Sequence, residues 1–213
     1  MEGTSTDNYA PVKSALPWAI GIQNFFLRRV RHSVLDMLQR IGARTVLDVC
    51  SGGGALAYMI QQRGMSVQAV DGSPTMAEYS RSQYGIIPKV ARAEALPYHQ
   101  QFDAAVIGMT LHELGEEQRE QVWQRVEDAV KNTGIIIAVD YTVPPPSVIN
   151  NMLSKLTTLD ESNFDTVNPG HYQDYQRFMA AGGLVPWLQK RKGYFYDERT
   201  HLFGNIAVVA VMK

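Results

Sequence analysis

The chain has 213 residues, of which 45% are hydrophobic and 19% charged. This length fits a single domain over residues 1–213, and the composition excludes collagen, coiled-coil and disordered classes. The net charge of −1 disfavours broad electrostatic binding to nucleic acid or anionic membranes, and no apolar run is long enough to predict a membrane span.

The first predicted element is a long amphipathic helix within an N-terminal helical segment, residues 1–42. Apolar residues recur from Pro17 in steps of three and four, which predicts one buried stripe, and Gly42 ends the helix. The stripe consists of Trp18, Ile22, Phe25, Phe26, Val30, Val34, Met37, Leu38 and Ile41. The other face is basic and predicted to be solvated, with Arg28, Arg29, Arg31, His32 and Arg40.

Strands and helices then alternate as far as Asp140. Short apolar and β-branched runs predict strands at 45–49, 66–70, 86–90, 102–107 and 134–140. Helices are predicted after Gly54, from Pro74 with Ser73 as its N-cap, and over 116–131. Because such alternation requires right-handed crossovers, it predicts a parallel, doubly wound sheet of the α/β class.

The pattern changes after Asp140. Pro144–Pro146 ends the fifth strand, and helices are predicted over 148–156 and 172–181, within a helical insert at 144–183. Runs at 184–196 and 201–212 predict two long antiparallel strands joined by a turn at 197–199. The insert lies between strands five and six and is the expected lid. Its candidate pocket residues are Met152, Leu153, Leu156, Phe164, Phe178 and Met179.

A ligand site is predicted at the carboxyl ends of the first two strands, where open α/β sheets bind their ligands. The small residues 51–54 let the backbone approach a ligand, and Asp71 at the end of the second strand can accept both hydroxyls of a ribose. Asp48 precedes the turn, where it would meet a cation rather than a pyrophosphate. These features predict a nucleoside site, although glycine spacing alone leaves a dinucleotide enzyme open.

Five segments resemble the successive motifs of class I S-adenosylmethionine-dependent methyltransferases, most closely the ubiquinone/menaquinone-biosynthesis-like branch of small-molecule methyltransferases. They are VLDVCSGGGALA (46–57), VQAVDGSPTMAEYSR (67–81), ARAEALPY (91–98), FDAAVIGMTLHEL (102–114) and GIIIAVD (134–140). The resemblance implies a Rossmann-like, mostly parallel seven-stranded sheet with an antiparallel last strand. It also implies S-adenosylmethionine as cofactor and S-adenosylhomocysteine as product.

The resemblance further implies which residues hold the cofactor. The methionyl end would lie over the turn 48–54, Asp71 would hold the ribose, and the adenine would lie against 72–76 and 93–94. Cys50 departs from the family's first loop glycine, and Arg92 stands where the family has an adenine-binding aspartate, so Glu94 is the candidate substitute. The cofactor candidates are Asp48, Cys50, Ser51, Gly52, Gly54, Asp71, Gly72, Met76, Ala93, Glu94, Gly108 and Met109.

The predicted reaction needs little acid–base catalysis from the protein. Methyl transfer is an in-line displacement from a sulfonium, so orientation provides most of the acceleration, and a base is needed only if the acceptor must lose a proton. His112 and Tyr141 are the catalytic candidates, and His171 and Tyr172 are the candidates for binding substrate. Tyr9 is a candidate for covering the cofactor, and no metal is predicted.

Several absences narrow the acceptor. The segment after the fourth strand lacks the Asp/Asn-Pro-Pro-aromatic motif that orients an amide or a nucleobase, and near-neutral charge disfavours nucleic acid. The single cysteine, Cys50, disfavours thiolate-based arsenic chemistry and favours a reducing, cytoplasmic setting. We therefore predict a methyltransferase for a small, hydrophobic or aromatic organic acceptor. The alternatives are a non-catalytic module that binds the cofactor or its product, and an NAD-type Rossmann enzyme; the oligomeric state stays open.

Overall fold

A twisted sheet with helices on both faces organises the chain. The structure is a computed structural model that describes residues 7, 9–147, 150, 158, 162, 170–192 and 195–213. The sheet order is β3-β2-β1-β4-β5-β7-β6, and β7 runs antiparallel to both of its neighbours. The strands are β1 (Thr45–Val49), β2 (Ser66–Asp71), β3 (Lys89–Val90), β4 (Phe102–Gly108), β5 (Val130–Tyr141), β6 (Asp197–His201) and β7 (Ile206–Met212). This architecture confirms the predicted seven-stranded, mostly parallel sheet.

The helices flank the sheet in two layers. Those of the described residues are α1 (Leu16–Arg40), α2 (Ala55–Gln62), α3 (Pro74–Tyr84), α4 (Glu116–Ala129), α5 (His171–Ala180) and α6 (Leu184–Lys192). The Ser73 hydroxyl accepts a hydrogen bond from the Met76 N–H at 3.1 Å and caps α3, as predicted. Among the described residues, no helix combines the length and apolarity needed to cross a bilayer.

The central strands are buried on both faces because alternate side chains enter two separate apolar layers. Val46, Val106 and Ile137 pack under α1, together with Val34 and Leu38. The residues next to them on the strands point the other way, toward α4 and α6, and form the second layer. That layer includes Leu47, Ile107, Ile136, Trp123 and Leu188. Two-sided burial explains the nearly continuous apolar runs of β4 and β5.

The segment 184–196 corrects the sequence prediction of a long strand. Residues Leu184–Lys192 form α6 instead, because Leu184, Trp187 and Leu188 recur at helical spacing and are all buried against the second layer. The residues predicted as the hairpin turn, 197–199, lie within β6, and the chain reverses at Leu202–Gly204. The antiparallel pairing of the last two strands is confirmed with this shifted register.

The apolar stripe predicted for α1 is also wrong in its first half. Trp18, Ile22, Phe25 and Phe26 are exposed, whereas Leu16, Ile20 and Leu27 are buried. The buried face is therefore rotated from the predicted one near the start of the helix. The second insert helix is confirmed as α5. The predicted helix over 148–156 and its pocket residues Met152, Leu153 and Leu156 lie outside the described residues, apart from Asn150, and so does Phe164.

Candidate active site

A cavity of about 660 Å³ opens at the carboxyl ends of β1, β2 and β4. Strand order reverses between β1 and β4, so the cavity lies at the topological switch point, where such sheets bind ligands. Its walls come from the turn after β1, the end of β2, residues 92–94 and 108–110, and the inner faces of α1 and α5. The size is within the range of ordinary small-molecule sites.

The turn after β1 is held to the end of β2 by Asp71. One carboxylate oxygen accepts the Gly52 N–H at 2.7 Å, and the other accepts the Ser73 N–H at 2.9 Å. Burial raises the pKa of Asp71, and these two hydrogen bonds oppose the rise. Each oxygen has capacity for a further hydrogen bond, and Asp71 lines the cavity, so the carboxylate can accept two hydroxyls of a ribose.

Two buried polar atoms at this turn have no hydrogen-bond partner among the described residues. They are Oδ2 of Asp48 and the hydroxyl of Ser51, and both residues line the cavity. Burial raises the pKa of Asp48 to about 7, although the Arg31 guanidinium opposes this rise. Buried polar groups normally have partners, so these two atoms fit a polar, positively charged ligand group. The residues present thus fit the methionyl end of the implied cofactor.

The far wall of the cavity carries an ion pair. Arg92 contacts a carboxylate oxygen of Glu94 at 2.7 Å, and the Gln118 side chain donates to the same oxygen. Burial raises the pKa of Glu94, but these hydrogen bonds outweigh burial and hold it below its usual value. Glu94 is therefore an ionised acceptor on the wall where the adenine amino group is expected. Arg92 therefore stabilises the ionised form of Glu94 and is not itself the acceptor.

The N-terminal residues close one side of the cavity. Asp7 accepts hydrogen bonds from the hydroxyls of Ser73 and Thr75, both at 2.6 Å, and from the Thr75 N–H at 2.9 Å. These contacts fix the chain over the N-terminus of α3, and Tyr9 lines the cavity beside it. That Tyr9 covers the cofactor stays a prediction.

Helix α1 contributes Asn24, which the sequence interpretation missed, and Arg31, which it wrongly placed on a solvated face. Both line the cavity, together with Leu27 and Val34. They are seven residues apart, so two helical turns place them on the same face. The sequence did contain a signal for this position, because the two polar residues recur at helical spacing within a face that is otherwise buried.

His112 and Tyr141 lie behind the cavity rather than on its wall. His112 is buried, its Nδ1 lies 2.6 Å from an Asp140 oxygen, and its backbone N–H donates to the other oxygen at 3.2 Å. The ring centroid of Tyr141 is 4.8 Å from that of His112, and that of His171 is 5.8 Å away. His171 lines the cavity, and the Tyr172 ring stacks on Tyr175 outside it.

The structure thus brings most of the predicted cofactor residues to one cavity. The lining includes Asp48, Cys50, Ser51, Gly52, Asp71, Gly72, Met76, Ala93, Glu94, Gly108 and Met109. Gly54 is not on the wall. It adopts φ +79° at the start of α2, where a Cβ would overlap the Ser80 hydroxyl, so this glycine permits close packing of α2 on α3.

The sequence and the fold are similar to those of known methyltransferases. Residues 46–134 match the family described as a methyltransferase domain. An uncharacterized methyltransferase of Synechocystis sp. is 27% identical over 182 residues, which cover 74% of this chain and 80% of that protein. The 1,6-didemethyltoxoflavin-N1-methyltransferase of Burkholderia thailandensis, solved with S-adenosylhomocysteine, is 17% identical with a TM-score of 0.63, covering 97% of this chain and 86% of that one. A Pyrococcus horikoshii protein is 16% identical with a TM-score of 0.62, covering 91% and 90%.

The sheet order, the site at its carboxyl edge and the sequence match together define a class I S-adenosylmethionine-dependent methyltransferase. The chain is similar to methyltransferase-domain proteins over residues 46–134, and its cofactor is S-adenosylmethionine. This similarity argues against the NAD-type alternative.

Proposed function

We propose that this enzyme methylates a small organic acceptor with a hydrophobic or aromatic body. The observation that carries the proposal is that the cavity lined by the Asp71 clamp, Gly108 and Met109 is also lined by apolar side chains. These include Leu27, Val30, Val34 and Val139, with Met109 itself. The Burkholderia thailandensis neighbour acts on 1,6-didemethyltoxoflavin, which also favours a small-molecule acceptor here.

The proposed cofactor contacts follow from the polar groups on the cavity wall. Asp71 accepts the ribose hydroxyls, Glu94 accepts the adenine amino group, and Asp48 with Ser51 receives the methionyl end. When bound, S-adenosylmethionine supplies an electrophilic methyl group on a sulfonium. The contribution of the chain is to fix both reactants at near-attack distance and to exclude water, which is the main source of acceleration for such a displacement.

The polar end of the acceptor region is formed by Thr110, Glu113, His171 and Asp174, all of which line the cavity. We assign His171 the role of contacting the acceptor. His112 is proposed as a positioning residue, because its bond to Asp140 fixes the segment that carries Glu113 and because Tyr141 and Tyr175 pack on its ring. Tyr172 is assigned the same kind of supporting role, through its stack on Tyr175.

The acceptor class can be tested with labelled cofactor. Purified enzyme is incubated with S-adenosylmethionine carrying a labelled methyl group and with metabolite extract separated by polarity, including quinol-type and other aromatic fractions. We expect label in apolar or aromatic small molecules. Label found only in nucleic acid, protein or strongly polar metabolites would contradict the proposal.

The role of His171 is tested once an accepting fraction is found. His171→Gln should raise KM for the acceptor by about tenfold, because it removes one polar contact, and should leave the affinity for S-adenosylhomocysteine unchanged. Gln176→Ala is the matched control, because Gln176 is exposed on the same helix and does not line the cavity. Equal KM values for His171→Gln and the wild type would remove His171 from the acceptor site.

A further inference from the structure

Helix α1 carries an exposed aromatic face that none of the described residues covers. We define it as Trp18, Ile22, Phe25 and Phe26, which surround a shallow apolar groove of about 390 Å³ with Pro17 and Gly21. Trp18 is 75% exposed and Phe25 is 78% exposed. An apolar cluster of this kind on a folded domain normally marks an interaction surface.

A basic patch continues the aromatic face along the same helix. Trp18, Ile22 and Phe25 are followed at steps of four and three by Arg29 and His32, so all of them lie on one side of α1, with Arg28 adjacent. Arg28, Arg29 and His32 are exposed, and in the described parts of the chain no carboxylate pairs with Arg28 or Arg29. There is no acidic residue at all between Ser14 and Leu35. The chain's near-zero net charge therefore conceals a local excess of positive charge.

We propose that α1 is a docking surface for an anionic lipid bilayer. Aromatic and aliphatic side chains on one face of a helix enter the interface between headgroups and acyl chains, while neighbouring arginines meet lipid phosphates. The aromatic face spans residues 18–26, about 12 Å of helix, and the basic residues follow within the next two turns. Both parts can therefore meet one membrane plane together.

A second copy of the chain fits this surface less well. Four side chains supply far less than the roughly 800 Å² per partner of a stable interface. The same face of a second copy also offers the unpaired arginines no counter-charge, because it contains no acidic residue. An anionic lipid surface supplies both the apolar phase and the negative charge.

The docking surface lies opposite the cavity on the same helix. Asn24, Leu27, Arg31 and Val34 form the cavity wall, and the aromatic face points away from them. Substitutions on the aromatic face therefore leave the cofactor site intact. The inference is independent of the proposed acceptor, although a membrane-bound enzyme would have direct access to apolar acceptors.

Vesicle cosedimentation tests the proposal with the full chain. The wild type should bind vesicles containing phosphatidylglycerol at least about tenfold better than pure phosphatidylcholine at low salt, and raising the salt to about 0.5 M should reduce this binding. Trp18→Ser/Phe25→Ser should lower binding by about tenfold or more. Arg28→Gln/Arg29→Gln should remove the preference for the anionic lipid while retaining the circular dichroism spectrum.

Two control variants accompany the vesicle experiment, and either of two results would overturn the proposal. Ile87→Ser changes an exposed aliphatic residue elsewhere, and Arg81→Gln/Lys190→Gln removes two exposed charges elsewhere; both should bind vesicles like the wild type. Absence of binding to anionic vesicles would overturn the proposal. So would a wild-type dimer in analytical ultracentrifugation that Trp18→Ser/Phe25→Ser converts to monomer, because the surface would then belong to a second copy.

Discussion

Asp48 is a buried carboxyl group whose charge depends on pH near neutrality. Burial raises its pKa to about 7, and Arg31 only partly offsets the cost of ionisation. A carboxyl group with a raised pKa is neutral below that pH and ionised above it. A positively charged ligand beside Asp48 stabilises the ionised form and lowers this pKa, so binding releases a proton at pH values below about 7.

Cofactor affinity should therefore depend on pH through Asp48. We expect the affinity for S-adenosylmethionine, measured by calorimetry, to increase between about pH 5.5 and 7 and to level off above that. Asp48→Asn should bind about tenfold more weakly at high pH and show a flatter profile. Identical pH profiles for the two proteins would show that Asp48 does not meet the cation.

Cys50 replaces a glycine of the family pattern at a position where the backbone is left-handed. Its φ is +56°, a region that L-residues adopt at a cost of about 1–2 kcal/mol, and the side chain packs against the second apolar layer. Glycine avoids this cost but loses the packing and gains entropy when unfolded. A β-branched residue is the least tolerated at such a position.

We expect the free energy of unfolding of Cys50→Gly to lie within about 1 kcal/mol of the wild-type value. Cys50→Val, although similarly apolar, should destabilise the protein by about 2 kcal/mol or more. Urea unfolding measures both. A Val variant as stable as the Gly variant would show that the turn relaxes away from positive φ.

Most of the residues proposed to bind the cofactor could be placed at one edge of the sheet from the sequence alone. Asp48, Asp71 and Gly108 stand at strand ends, and parallel strands bring their carboxyl ends to one edge of the sheet, so local order along the chain determines their proximity. Arg31 and Asn24 could not be placed in this way. Their position on the cavity wall depends on how α1 docks on the sheet, which is a tertiary property.

The amino ends of β1, β4 and β5 are joined by Asp103. One of its oxygens accepts the N–H groups of Arg44 and Thr45 and the Thr45 hydroxyl, at 2.8–3.0 Å, and the other contacts Lys131 Nζ at 2.7 Å. Burial alone raises the pKa of Asp103, but these donors outweigh it and hold the pKa well below its usual value of 3.8. The cluster lies at the edge of the sheet opposite the cavity.

Asp103 should stabilise the fold in its ionised form only. Because its folded pKa is depressed, the stabilisation is present above the unfolded value of 3.8 and is lost as pH falls from there toward the folded value. Asp103→Asn should lose about 2 kcal/mol of unfolding free energy at neutral pH and show a smaller loss of stability in acid.

Urea unfolding at several pH values measures this effect. Glu78→Gln is the control, because Glu78 forms an exposed ion pair with Lys13, which contributes little. An Asp103→Asn variant with the same acid dependence as the wild type would contradict the assignment.

Elements were predictable where one periodicity dominated. The strands β1, β4 and β5 stand out because both of their faces are largely buried. The apolar residues of 184–196 fit the period of a strand as well as that of a helix. The segment forms a helix because Leu184, Trp187 and Leu188 pack on the second layer. In α1, apolar residues occur on two faces, so the sequence alone does not show which one the sheet covers.

Different regions of the molecule have different roles. Asp103 links the strands at the amino edge of the sheet, and the cavity lies at the carboxyl edge. Helix α1 has one face on the cavity and another toward solvent. Acidic groups concentrate around the cavity, at Asp7, Asp48, Asp71, Glu94, Glu113 and Asp174, while α1 carries the exposed Arg28 and Arg29. The acidic surroundings of the cavity favour a cationic cofactor. The net charge of −1 averages over both regions and reflects the local charge of neither.

The central claim is that the Asp71 clamp and the turn after β1 together bind S-adenosylmethionine. Calorimetry with S-adenosylhomocysteine, on the wild type, Asp71→Asn and Asp103→Asn, tests it most directly. We predict saturable binding by the wild type and by Asp103→Asn, and binding at least about tenfold weaker by Asp71→Asn, because an amide cannot accept both backbone N–H groups and both hydroxyls. No heat from the wild type, or equal affinity in Asp71→Asn, would contradict the claim.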